Sequence, residues 1–426
     1  MRKQINIRDF LTGLDVVTSD IQRAIDSLGE EGGILFFPKG TYVTGTFFLR
    51  SNVTLYLDCG AELAGSGNLE DYREDHEGAI EAPGFSHCLI YAEHAENIEI
   101  TGNGTIDGRG AAHSVHRETR PMLMRFVDCK NLRFEKIHLR DAGSWGVHMV
   151  ECTDIHIHQV DLDSRVQSNN DGFDFDSCRN IFISDSKICS SDDSICLKST
   201  KRTMGENLVV TNCVLSSHTA VFKVGTSSLS GFRNVTIHNC VVQDCPMGTF
   251  KIMCVDGGLV ENINISNIVM NRVGSPLFIR VGKRNMKFDT PAEMDYVTAG
   301  QVNEDAPGHI RNVMLSNIQA NVTVTDKRRT PIMIAGIKDS RIENVRINNI
   351  RVSFPGGGTE LDREIIVPED EYRYPEQWFF GALPAYAVYA RHVDGLRIED
   401  AEFTLTGEEK REAYYIEDVE RLQIRK

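Results

Sequence analysis

Carboxylates are concentrated in two short segments of this chain, SNNDGFDFDSC (168–178) and SSDDSICLKS (190–199). Asp171 in the first and Asp192 in the second are 21 residues apart, and Asp193 follows at once. Taken singly, Asn-Asp-Gly and Asp-Asp are common turn chemistry. Together they ask for more. Carboxylates gathered on one face repel, so folding gains nothing from the arrangement. Such clusters bind a metal or do acid–base work, with their pKa values pushed apart. His218 lies 26 residues after Asp192, and Lys251 lies 33 after His218. A lone histidine reads as a surface residue, but these spacings extend the series, about one repeat per step.

Such spacings matter only if the chain is built to stack them, and a repeat runs through it. An Asn or Asp is followed by an alternating apolar strand, a polar bend and a second short strand. Examples are KNLRFEKIHL, RNIFISDSKI, ENLVVTNCVL and RNVTIHNCVV. The anchors are Asn97, Asn131, Asp154, Asn180, Asn207, Asn234, Asn262, Asn312 and Asn344, spaced by 34, 23, 26, 27, 27, 28, 50 and 32 residues. A second series, Asp185, Asn212, Asn239 and Asn267, sits at the bends, where Asn and Asp tolerate a left-handed backbone. Period-two patterning without intervening helices predicts an all-β solenoid, a parallel β-helix whose coils stack as parallel sheets. Residues one coil apart then lie about 4.8 Å apart. The column Asp171, Asp192/Asp193, His218, Lys251 is predicted to span roughly 15 Å.

The segment SDIQRAIDSLGEEGG, in a cap region of about 15–35, predicts a short amphipathic helix over the first coil. Ser19 or Asp20 could cap it, and Gly29 or Gly32 could end it. Long spacings mark insertions near 271–306 and 354–387, which read either as walls of a binding cleft or as a cap or interface arm. No linker interrupts the pattern, so residues 1–426 are expected to form one domain.

Net charge is −15, which argues against nucleic acid as a partner and gives no long-range attraction to an anionic substrate. No apolar run is long enough to span a bilayer. The N-terminal MRKQINIRDFLTG lacks an apolar signal core, so a cytoplasmic location is expected. The 11 cysteines sit in apolar strand-like runs and are expected to be reduced and buried. No Cys/His spacing suggests zinc and no phosphate loop is present, so no cofactor is expected.

With those motifs in place, the chain resembles the polygalacturonase family, glycoside hydrolase family 28. The family's Asn-x-Asp-Gly is Asn169-Asn170-Asp171-Gly172 here, and its Asp-Asp is Asp192-Asp193. Its Gly-His-Gly corresponds to Ser217-His218-Thr219, and its Arg-x-Lys to Thr249-Phe250-Lys251. GNGTIDGRG (102–110) resembles the family's upstream glycine-rich turn. The resemblance implies a right-handed parallel β-helix that hydrolyses glycosidic bonds with inversion. It implies Asp192 as general acid and Asp171 and Asp193 as holders of the attacking water. His218 would set the protonation and geometry of the acid, and Asn169 and Lys251 would contact substrate. The Arg of Arg-x-Lys is Thr249, so a guanidinium able to grip a uronate bidentately is missing. Lys223, Arg280, Lys283 and Arg284 are candidate replacements. The expected substrate is a uronic-acid-containing, pectin-type oligo- or polysaccharide, attacked by an exo-galacturonidase or a hydrolase of rhamnogalacturonan fragments. A calcium-dependent β-helix lyase and a non-catalytic carbohydrate-binding β-helix are the alternatives.

Overall fold

The computed structural model describes residues 2–74, 86–116, 119–285 and 306–425. Two compact units result, Met1–Ser194 and Ile195–Lys426. Each is a stack of coils whose strands pair in parallel along three ladders.

In the first unit, one ladder runs through Phe47–Phe48, Cys88–Glu93, Met122–Val127, Val147–Val150 and Phe173–Asp176. A second joins Gln4–Asn6, Gly33–Phe37, Val53–Leu57, Glu96–Thr101, Lys130–Glu135, Thr153–His158 and Arg179–Ser184. The third carries Gly40–Thr44, Ala61–Gly65, Thr105–Asp107, His138–Arg140, Asp161–Ser164 and Lys187–Ser190. In the second unit, Ile195–Ser199, Phe222–Ser228, Phe250–Cys254, Leu277–Val281 and Ile332–Ala335 continue one ladder into Ala385–Leu405. The longer strands Gly231–Cys245, Leu259–Val273, His309–Val322 and Ile342–Phe354 pair along their length.

The asparagine series explains why the coils turn where they do. All nine anchors have positive φ, from 54° at Asn344 to 66° at Asn207, and the bend residues Asp185, Asn212, Asn239 and Asn267 lie between 52° and 56°. Asn pays the smallest penalty of any residue but glycine for that conformation. Its amide then hydrogen-bonds up the stack. Asn262 Nδ2 donates to Asn234 Oδ1 at 3.1 Å and Asn312 Nδ2 to Asn262 Oδ1 at 3.0 Å. Asn317 Nδ2 donates to Asn267 Oδ1 at 2.9 Å in the second column.

The predicted helix spans Thr18–Ser27 and buries Ile21, Ala24 and Ile25. Its N-cap is Val17, not Ser19 or Asp20, which lie in the first turn. Asp20 is fully buried and instead accepts from Thr12 N and Oγ1, both at 3.0 Å, and from Arg23 at 2.8 Å. Gly29, at φ 66°, follows the helix end as expected. Gln22 seals a strand edge, accepting from Phe48 N at 2.8 Å and donating to Phe48 O at 3.2 Å. No helix among the described residues is long and apolar enough to cross a membrane. Of the eleven cysteines, all but Cys59 are buried.

Of the two expected insertions, 271–306 begins with residues of the strands Leu259–Val273 and Leu277–Val281, while 286–305 lie outside the described residues. The 354–387 insertion holds two 3-10 helices, Glu360–Glu364 and Gln377–Phe380. It packs Val367, Phe380 and Leu383 onto Met253, Phe278, Met333 and Tyr389 of the strand ladder, burying all seven.

Candidate active site

The first unit brings the three predicted carboxylates together. One oxygen from each of Asp171, Asp192 and Asp193 lies within 4.8 Å of the others. Asp171 and Asp193 are buried and Asp192 is partly exposed. Asp171 precedes the strand Phe173–Asp176, and the Asp192–Asp193 pair follows the strand Lys187–Ser190. Backbone pairing locks the two loops in register. Asp192 N donates to Asn170 O at 3.1 Å and Gly172 N to Asp193 O at 2.9 Å. Gly172 is needed for this approach, since a Cβ there would stand 2.4 Å from Ser194 O.

The motif asparagines position rather than react. Asn170 is fully buried. Its Nδ2 donates to Ala142 O and Ser144 O, both at 2.8 Å, and its Oδ1 accepts from Gln167 N at 2.8 Å. Asn169 has φ 57° and donates to Asp192 Oδ2 at 3.3 Å. Its own Oδ1 accepts from Arg120 Nη2 at 3.1 Å, while Arg120 Nη1 binds Ser168 O at 2.5 Å. Arg120 is 1 % exposed. Sequence reading missed it, because it lies 49 residues from Asn169 and outside the repeat.

The second unit holds the other predicted residues. His218 is exposed, in the bend after the strand Val214–Ser217. Lys251 falls in the coil after His218, as its spacing suggested, but not in line with it. It pairs in register with Lys223, and the step between those coils is 251 − 223 = 28 residues rather than 33. His218 precedes Lys223 by 223 − 218 = 5 residues along the same coil, which accounts for the longer count.

Both lysines are buried and meet Glu376 from the 354–387 insertion. Lys251 Nζ donates to Glu376 Oε2 at 2.6 Å, and Lys223 Nζ lies 3.6 Å from Glu376 Oε1. Lys251 Nζ also stands 5.0 Å from the Trp378 ring centroid, and Lys223 Nζ donates to Tyr374 Oη at 3.4 Å. These aromatic and acidic partners were not legible from spacing, since Glu376 lies 125 residues from Lys251 and off the repeat.

The cations considered as replacements for the missing Arg are engaged within the unit. Arg280 is 1 % exposed, donates to Gly336 O at 3.3 Å and to Glu369 O, and stacks 4.9 Å from the Phe380 centroid. Burial pushes its pKa down to about 10, and the neighbouring Arg391 charge adds to the effect. Lys283 pairs with Asp339, and Arg284 grips Asp256 with two bonds of 3.0 and 2.6 Å.

Comparison with known proteins supports what the fold and motifs indicate. Residues 67–364 match the family described as glycosyl hydrolases family 28, and the chain belongs to that family. The solved structures it is similar to include the family 28 exopolygalacturonase of Yersinia enterocolitica, with TM-score 0.72 at 19 % identity, covering 100 % of this chain and 78 % of that one. Another is the hyperthermoactive exopolygalacturonase of Thermotoga maritima, with TM-score 0.72 at 19 % identity and 94 % and 92 % coverage. The fold is the right-handed parallel β-helix of these structures. Among curated sequences, a Vitis vinifera protein named as a probable polygalacturonase is 30 % identical over 285 residues. That match takes in 61 % of this chain and 58 % of the grapevine protein's length.

Proposed function

We propose that this chain is an inverting glycoside hydrolase acting on uronic-acid-containing, pectin-type oligosaccharides, removing sugars from a chain end. The observation that carries the reading is the convergence of Asp171, Asp192 and Asp193 in a chain of family 28. The names of the Yersinia and Thermotoga neighbours favour exo action.

In this reading Asp192 is the general acid. It is the partly exposed member of the cluster, and two neighbouring carboxylates favour its protonated form. Asp171 and Asp193 hold and deprotonate the attacking water, and His218 assists the acid. Asn169, Lys223 and Lys251 are the proposed substrate contacts. For Arg280 to join them, its guanidinium would have to leave the two carbonyls it binds. The clustered oxygens stand closer than the roughly 6.5–9.5 Å usual for an inverting pair. The water is therefore placed beside the acid, held jointly by two carboxylates, rather than between two opposed groups. Proton NMR of the first product decides the stereochemistry. A product anomer opposite to that of the substrate supports inversion, and the same anomer refutes it.

Asp192→Asn should lower kcat by roughly 10²-fold or more, the contribution of one positioned acid. Undiminished release of reducing ends from galacturonan or rhamnogalacturonan oligosaccharides would refute the assignment. The same assay tests exo action, since monomer alone at early times supports it and a mixed ladder opposes it. Three carboxylate oxygens this close would also suit an oxygen-ligated cation. This favours the calcium-dependent lyase as the second reading. Unsaturated products absorbing in the ultraviolet, abolished by chelator, would establish it.

A further inference from the structure

The second unit carries a group of buried charges that the proposed acid–base chemistry does not use. Lys223 and Lys251 are directly opposite each other on adjacent strands, an arrangement in which like charges destabilise a sheet. Glu376 answers both, at 3.6 and 2.6 Å, and is itself 3 % exposed. It is firmly placed. The 3-10 helix it leads, Gln377–Phe380, is tied down by Gln377 Nε2 donating to Pro331 O at 2.9 Å and by Phe380 in the hydrophobic cluster. Tyr374 and Trp378, both partly exposed, are its solvent-facing neighbours.

We infer that Glu376 is a specificity-determining residue: its carboxylate occupies on Lys251 the position that a substrate uronate would take, so the sugar meeting this cluster is neutral or esterified at C6. A free uronate could reach Lys251 in two ways. It could displace Glu376 from Lys251, leaving that buried carboxylate with only the longer contact to Lys223 at 3.6 Å and without its hydrogen-bonded partner, which is unfavourable. Or it could approach beside Glu376, placing two anions on one ammonium. A hydroxymethyl, methyl or methyl-ester group meets neither obstacle. Thr249, fully buried where the family pattern has Arg, points the same way, because no guanidinium is available there to pair with a second carboxylate. The inference rests on the proposed hydrolase and narrows it to substrates whose sugar at this cluster carries no free carboxylate.

Trp378 supplies a reporter, since the chain has two tryptophans. In protein carrying Trp145→Phe and Asp192→Asn, indole fluorescence is titrated with trigalacturonate and with its methyl ester. With Glu376 present, the ester should bind at least as tightly as the acid. With Glu376→Gln, preference should move towards the acid by about tenfold, equivalent to about 1.4 kcal/mol. An acid preference of about tenfold with Glu376 in place, unchanged by Glu376→Gln, would overturn the inference, as would an indole that responds to neither sugar. If the Gln variant does not fold, the acid-to-ester ratio of the Glu376 protein decides alone. Binding needs no turnover, so the two claims fail separately. A Glu376-dependent ratio in a protein that cleaves no glycan would refute the hydrolase reading and leave this inference standing.

Discussion

Asn169 shows how much of the chemistry depends on a residue that does none. Its left-handed backbone turns its amide towards Asp192, and Arg120 holds the amide's oxygen so that the NH₂ must face the carboxylate. A donor to the ionised form stabilises that form and lowers the acid's pKa. Removing it should raise that pKa. In the proposed mechanism Asp192 works protonated, so activity is lost as pH rises through its pKa. Asn169→Ala should therefore move the alkaline limb of the kcat/KM profile to higher pH. It should also lower kcat by about tenfold, as expected for one hydrogen bond to a charged group. An alkaline limb that stays put would mean Asn169 does not act on the acid. At this scale the aspartates were legible, because their type and spacing repeat the coil. Arg120 and Glu376 were not. Neither belongs to the repeat, and what brings each to its partner is the path of a loop, which no local pattern encodes.

The stacking elements were read from the sequence with more success, for a physical reason. Each coil must turn at the same place, the turn needs a left-handed residue, and asparagine is the residue that supplies both the turn and a side chain to bond its neighbours. The pattern is thus written once per coil. Its interior rungs should behave alike. Asn262→Ala should destabilise the protein by about 1–2 kcal/mol, from left-handed strain and two lost amide bonds. Asn262→Gly should cost less, since glycine relieves the strain; denaturant titration of both variants separates the two contributions. The helix cap was misread because Asp20, a good capping residue by type, is drawn inward by Thr12 and Arg23. The 354–387 insertion obeys no period, so its two 3-10 helices were not foreseen. One carboxylate anchors the first of them. Burial alone would raise the pKa of Asp362. The Lys327 ammonium at 2.6 Å, with the Thr359 N–H at 2.7 Å and hydroxyl at 2.8 Å, reverses that and holds it at about 2. The folded value lies below the ordinary one of 3.8. The stabilisation is therefore complete above about pH 4 and fades as pH falls towards 2. Asp362→Asn should cost about 2 kcal/mol at neutral pH and progressively less across that window. A cost independent of pH between 4 and 2 would show that the ion pair is not its source.

For the whole molecule, the charge balance and the proposed substrate pull in opposite directions. A net charge of −15 repels a polyuronate at long range, and the cations seen in the second unit are mostly engaged by this chain's own carboxylates and carbonyls. Local contacts must therefore act against the field of the protein as a whole. Salt screens that field, with a Debye length falling from about 30 Å at 0.01 M to about 8 Å at 0.15 M. For most charged enzyme–substrate pairs attraction dominates and salt slows association. Here repulsion should dominate, so kcat/KM on a highly charged galacturonide should rise several-fold over that range while kcat changes little. The same substrate with its carboxyls methyl-esterified should show almost no salt response, which isolates the charge as the cause. A fall in kcat/KM with salt on the free acid would mean that local positive charge overcomes the net field. It would also count against Glu376 as a mask on Lys251, because an unmasked lysine pair is what such attraction would require.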